Sequence, residues 1–175
     1  MQINVLRELR QPVGSVAVLD VVEPRVRIPD AEINDLAGSL TLLRTDRGLL
    51  ASFEAKATMG ERCARCLAAI NCPLQIQFEE EYIPVVDANS GARVNWPTAD
   101  EGFAIGPDFL LDLREPLRQY VLMSEPLKPL CRPDCAGLCP SCGDDLNRGP
   151  CGCPPDLDER WRVLADLETI TTKGS

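Results

Sequence analysis

Leu36-Ala-Gly-Ser-Leu-Thr-Leu-Leu43 and Leu49-Leu-Ala-Ser-Phe-Glu-Ala-Lys-Ala-Thr-Met59 flank the four residues Thr45-Asp-Arg-Gly48, and the whole reads as a β-hairpin. Gly48 is expected to supply the positive φ that a short loop needs. A third run, Leu74-Gln-Ile-Gln-Phe78, alternates apolar with polar residues, so one face is buried and the three strands form an antiparallel meander. The turn between the second and third strands is Cys63-Ala-Arg-Cys66, placed where a metal knuckle would sit.

Upstream, Ile3 to Leu9 and Val16 to Val22 are candidate strands, with Pro24 and Pro29 expected to break the pattern. Downstream, residues 84–102 are polar, turn-rich and without either period, which predicts a mobile loop. Asp112 and Glu115 have capping-box spacing, and Leu113, Leu117, Tyr120 and Val121 share one helical face, predicting a helix at about 112–123. Pro116 is tolerable there because it falls in the first turn. A last helix is expected after Pro155-Asp156, with the stripe Leu157, Trp161, Leu164 and Leu167. The tail 169–175 should be disordered.

The densest chemistry is Cys131-Arg-Pro-Asp-Cys135-Ala-Gly-Leu-Cys139-Pro-Ser-Cys142-Gly143, followed by Cys151-Gly-Cys153. Together with Cys63 and Cys66 these make eight cysteines in close pairs, in a chain without histidine. That donor set suits two structural, four-thiolate Zn2+ ions. One grouping puts Cys139, Cys142, Cys151 and Cys153 in a local site, with Gly143 closing its knuckle. Cys63 and Cys66 then join Cys131 and Cys135, stapling the tail to the meander. A site of Cys131, Cys139, Cys142 and Cys151, leaving Cys135 or Cys153 free, obeys the same grammar. Cys72 reads as a buried apolar thiol.

The fold class that follows is α+β: an antiparallel β meander with a few short helices and a C-terminal cysteine-rich zinc-binding module. The organisation expected is a β-rich domain over 1–126, then a zinc module with the C-terminal helix over 127–168. The N-terminus lacks a signal-peptide core, and no stretch approaches 18 uninterrupted apolar residues, so a soluble, non-membrane protein is expected. Nine cysteines with an odd count favour metal over disulfides and a cytoplasmic address.

The formal charge is −9, and residues 73–115 hold nine acidic side chains against Arg93 and Arg114. Each four-thiolate zinc site adds −2, so two would take −9 to −13, which disfavours wrapping a nucleic-acid backbone. A partner with a basic surface fits better. Aromatic residues are only 5% of the chain, too few to advertise base-stacking platforms. The adjacent Glu79, Glu80 and Glu81 alternate sheet faces and read as a solvated strand end rather than an acid/base pair. Catalysis by an open metal site is not expected, since four-thiolate sites are closed. A thiol-disulfide role for Cys63 and Cys66, with Arg65 lowering a thiol pKa, is the enzymatic alternative. A general zinc-ribbon interaction module is the non-enzymatic alternative.

The residues Cys63-Ala-Arg-Cys66-Leu67, Asp112-Leu113, Pro129-Leu-Cys131, Gly137-Leu-Cys139-Pro-Ser-Cys142-Gly143 and Asp145-Leu-Asn147 resemble those of the YceD-like proteins. That family is associated with accumulation of large-subunit ribosomal RNA in bacteria and plastids. The resemblance implies a non-enzymatic ribosome biogenesis factor supporting 23S ribosomal RNA, in the cytoplasm or, in a plant, the plastid stroma. Its partners would be ribosomal proteins or assembly intermediates, with indirect or weak rRNA contact and no small-molecule substrate. Some members keep the Cys63 and Cys66 pair and lack most of the later cysteines, which would make the second site an addition.

Overall fold

The computed structural model describes residues 1–29, 31–94 and 102–154. The chain divides into two compact units: Met1–Glu61 with Ala69–Pro129, and Arg62–Ala68 with the segment from Leu130 onward. The turn between the second and third meander strands thus belongs with the C-terminal cysteines. The expected C-terminal helix and tail lie outside the described residues, as do Trp96 and Trp161.

The first unit is built on a five-stranded sheet in the order β2-β3-β4-β5-β6, where β2 is Val16–Ile28, β3 Ala31–Arg44, β4 Leu49–Arg62, β5 Ala69–Pro84 and β6 Phe103–Ile105. Strands β2, β3 and β4 pair antiparallel, with Leu19 opposite Leu40 and Leu40 opposite Phe53. Ser52 Oγ donates to Glu79 (2.9 Å) and Gln77 Nε2 to Glu54 (3.0 Å), the reversed order that antiparallel β4 and β5 require. The predicted meander is therefore present. Only β6 departs from it, running parallel to β5 with Tyr82 beside Phe103.

One sheet face is the core. Along β4, Leu49, Ala51, Phe53, Ala55, Ala57 and Met59 are buried, and the residues between them face outward. They pack with Ile33, Leu36 and Leu40 of β3 and with Leu74, Ile76 and Phe78 of β5. Helix α2, Arg114–Ser124, buries Leu117 and Val121, and Tyr120 stacks on Phe78 at 5.1 Å, which packs tilted against Phe53 at 5.0 Å. Cys72 is buried on the same face, as expected of an apolar thiol, and burial pushes its pKa up. Strand β1, Gln2–Asn4, pairs antiparallel with β7, Leu110–Asp112, in a separate two-stranded sheet. No helix among the described residues is long and apolar enough to cross a membrane.

Several expectations change. Ile3 to Leu9 is not one strand: β1 stops at Asn4, whose side chain accepts the Leu6 N–H (3.2 Å), and Leu6–Leu9 is the single-turn helix α1. Pro24 does not end β2, because β2 is an edge strand and its pairing with β3 passes over Pro24, from Glu23 opposite Leu36 to Arg25 opposite Asn34. Pro29 does fall where β2 stops. Gly48 does not take a positive φ; a Cβ there would lie 2.1 Å from the Tyr82 carbonyl oxygen, so what Gly48 provides is room for β5. Residues 85–94, expected to be irregular, close a short turn through Val94 N–H to Val85 O (3.0 Å) and Asp87 N–H to Ala92 O (2.8 Å). The rest of that predicted loop, 95–101, lies outside the described residues. The capping box also fails: Asp112 accepts the Arg114 N–H (2.9 Å), whereas Glu115 turns outward to Arg118 and Gln119.

Candidate metal centre

The second unit contains the same loop twice. In Cys63-Ala-Arg-Cys66-Leu67-Ala68, the Cys63 N–H donates to Ala68 O (2.8 Å) and the Leu67 N–H to Cys63 O (2.9 Å), with Leu67 at φ +61. In Cys139-Pro-Ser-Cys142-Gly143-Asp144, the Cys139 N–H donates to Asp144 O (2.8 Å) and the Gly143 N–H to Cys139 O (2.9 Å), with Gly143 at φ +78. The left-handed residue after the second cysteine turns the loop so that its backbone N–H groups face the first sulfur. Accordingly, the Cys66 N–H holds the Cys63 thiol down at about 6, and the Cys142 N–H does the same for Cys139, also about 6.

Each knuckle meets a second pair of cysteines. Cys63 Sγ lies 3.8 Å from Cys135 Sγ, and Cys66 Sγ lies 3.7 Å from Cys131 Sγ. All four sulfurs of that set lie within 4.8 Å of one another, and so do those of Cys139, Cys142, Cys151 and Cys153. None of the nine cysteines is in a disulfide. A tetrahedral ion with metal–sulfur bonds of 2.3 Å has sulfur–sulfur edges of about 3.8 Å, which the two measured separations match. The mixed grouping of Cys131 with Cys139, Cys142 and Cys151 does not form; Cys135 and Cys153 each sit inside a set.

The electrostatics ask for a cation. Cys131 is pushed up to about 12, first by hydrogen bonding with Cys135 and then by burial. At Cys142 an Asp144 N–H favours the thiolate, but sharing with Cys139 and burial outweigh it and the thiol also rises to about 12. Four thiols this close cannot all ionise by themselves, and a bound dication would remove that repulsion. Either set could hold a metal ion through four thiolates, leaving no position for water.

The residues that brace these sets were not assigned roles from sequence. Asn147 Nδ2 donates to Cys135 Sγ (3.5 Å) and to Asp145 Oδ1 (2.7 Å), while its Oδ1 accepts from Ala136 N–H (2.9 Å) and Arg132 (2.8 Å). It thereby ties the Cys131–Cys135 turn to the loop after the second knuckle. The Asp145-Leu-Asn147 motif was visible, but its purpose needed the fold. Arg65 acts differently from the cation foreseen beside a thiol: its guanidinium donates to the Cys135 carbonyl (2.7 Å). With Arg132 on Asn147, two of the arginines close to the cysteine turns are committed to local bonds, whereas Arg148, 3.7 Å from Asp145, is 89% exposed.

A mostly antiparallel β unit joined to a module with two four-cysteine clusters defines the class of protein. A family model described as large ribosomal RNA subunit accumulation protein YceD matches residues 51–168, a span that contains all eight clustered cysteines, and the chain belongs to that family. Uncharacterized proteins of Mycobacterium tuberculosis and Mycobacterium bovis are 28% identical over 99% of this chain and 86% of their own length. An uncharacterized protein of Mycobacterium leprae is 30% identical over 73% of this chain and 58% of its own. No solved structure matches.

Proposed function

We propose that this chain is a non-enzymatic ribosome biogenesis factor that supports accumulation of 23S ribosomal RNA through contacts with ribosomal proteins or assembly intermediates. The observation that carries this reading is the family match over residues 51–168, whose description names large-subunit RNA accumulation. We further propose that Cys63, Cys66, Cys131 and Cys135 hold one structural Zn2+ and Cys139, Cys142, Cys151 and Cys153 a second, zinc being favoured by the all-thiolate donor sets. Bound there, zinc would supply cross-linking and charge neutralisation rather than reactivity, because four thiolates fill its coordination shell.

Net charge of −9 supports a basic protein partner over direct wrapping of RNA. The local commitment of Arg65 and Arg132 weighs the same way. A redox role for Cys63 and Cys66 is disfavoured because each has a sulfur partner on the 131–135 segment, and because the pair sits on a turn between strands rather than at a helix start. The test is deletion of the gene with quantification of 23S rRNA and complementation by the wild type. Loss of 23S rRNA restored by the wild type is expected; unchanged 23S rRNA overturns the reading. Gel-shift of purified protein on 23S rRNA across a salt titration should show weak binding, and a steep salt slope would transfer the role to direct RNA contact.

A further inference from the structure

Strand β2 ends the sheet, and among the described residues nothing pairs with its outer edge. Its two halves differ. The second half carries Pro24, Arg25 and Arg27, the last two ion-paired with Glu32 (3.4 and 2.9 Å), which are features that block strand addition. The first half has no proline and, over Val16–Val22, a single charge, Asp20. Val16, Val18 and Val22 are 60, 63 and 73% exposed on the open face, while Ala17 and Leu19 are half-buried on the core face. Beside this half runs a groove of about 560 Å³ between α1 and β2, with Arg7, Glu8, Ala17, Leu19, Leu42 and Arg44 among its walls, Arg44 being bonded to the Leu9 and Gly48 carbonyls.

The open face next to that edge is acidic. By register, Asp20 lies opposite Ser39, and Ser39 opposite Glu54; Ser52 reaches Glu79. The bonds Glu54 and Glu79 make are to neutral Gln77 and Ser52 donors. A second depression, about 480 Å³, lies over Ala37, Gly38 and Ser39 between Asp20 and Glu54, where small side chains leave the sheet surface low. Lys56 is the one cation lining it.

We propose that the edge of β2 over Val16–Val22 accepts an extended segment of a basic protein partner as an added strand. Main-chain bonds supply the pairing, and alternate side chains split between the two faces. Apolar residues of the segment cover Ala17 and Leu19 in the groove. Lysines or arginines lay their stems along Val16 and Val18 and their charges toward Asp20 on β2 itself, with Glu54 and Glu79, two and three strands further in, adding to the field of the face and making no contact. A second copy of the chain fits less well, because it would bring another −9 to an acidic face. The proposal rests on the protein-mediated reading of function given above, and names the surface that reading needs.

The test uses the full-length, metal-loaded protein with two capped peptides, one alternating lysine and valine over seven residues and one alternating glutamate and valine. Amide hydrogen exchange should slow at least tenfold at alternate residues within Val16–Val22 on adding the lysine peptide. The glutamate peptide should bind at least tenfold more weakly. Val18→Lys, at an exposed position, should weaken the lysine peptide at least tenfold with metal content and melting temperature unchanged. The surface is ruled out if exchange at β2 does not respond, if both peptides bind alike, or if the free protein is a dimer with β2 already protected. In cells, normal 23S rRNA in a Val18→Lys strain also rejects the surface while leaving the biogenesis role intact; loss of 23S rRNA on deletion is the separate test of that role.

Discussion

Leu67 and Gly143 occupy the same place in two copies of one loop, yet only the glycine was recognisable as a knuckle residue in advance. A glycine after Cys142 signals a left-handed turn, whereas a leucine after Cys66 signals nothing of the kind, because L-residues lose about 1–2 kcal/mol in that conformation. Leu67 takes it nonetheless, at φ +61 and 55% exposed, so its side chain recovers little by burial. Leu67→Gly should therefore stabilise the metal-loaded protein by about 0.5–1 kcal/mol in a urea melt, and Gly143→Ala should destabilise it by about 1–2 kcal/mol. Asp112 offers a second residue-level prediction. Its hydrogen bonds and charge pairing with Arg114 hold the carboxyl down at about 2. A depressed folded pKa means stability that is present above the ordinary value of 3.8 and lost as pH falls through about 2. Asp112→Asn should remove that part of the acid-induced loss between about pH 4 and pH 2, measured by the pH dependence of the denaturation midpoint.

At the level of elements, what the sequence made legible was what repeated. Leu74, Ile76 and Phe78 alternate with polar residues, and Leu117, Tyr120 and Val121 recur at helical spacing; both patterns became β5 and α2. What escaped was decided by position in the sheet. Pro24 reads as a strand breaker until β2 is known to be an edge, and the three residues of β6 are too few to show a period. The irregularity that lets β3 run on past Asp35, at φ +54, is likewise invisible: the register shifts between Asn34 and Ala37, one extra residue in a bulge. The two faces of the sheet should respond very differently to truncation. Phe53→Ala removes a fully buried ring packed against Phe78 and should cost about 3–5 kcal/mol, while Val18→Ala on the open face should change stability by no more than about 0.5 kcal/mol in the same urea titration.

For the whole molecule, the two cysteine sets differ in what they close. Cys139 to Cys153 are neighbours in sequence, so their site can assemble locally. Cys63 and Cys135 are 72 residues apart, and Cys66 and Cys131 are 65, so a metal there closes a long loop and its binding energy is spent on joining two stretches of one unit. The grouping could be anticipated from spacing, but choosing it over the mixed alternative required the sulfur positions. Native mass spectrometry with elemental analysis, on the wild type and on two paired variants, tests the two-site claim most directly. Two ions per wild-type chain are expected, falling to one in Cys63→Ser/Cys66→Ser and to one in Cys139→Ser/Cys142→Ser. A wild type that binds one ion, or a Cys63→Ser/Cys66→Ser protein that keeps two, would contradict the account.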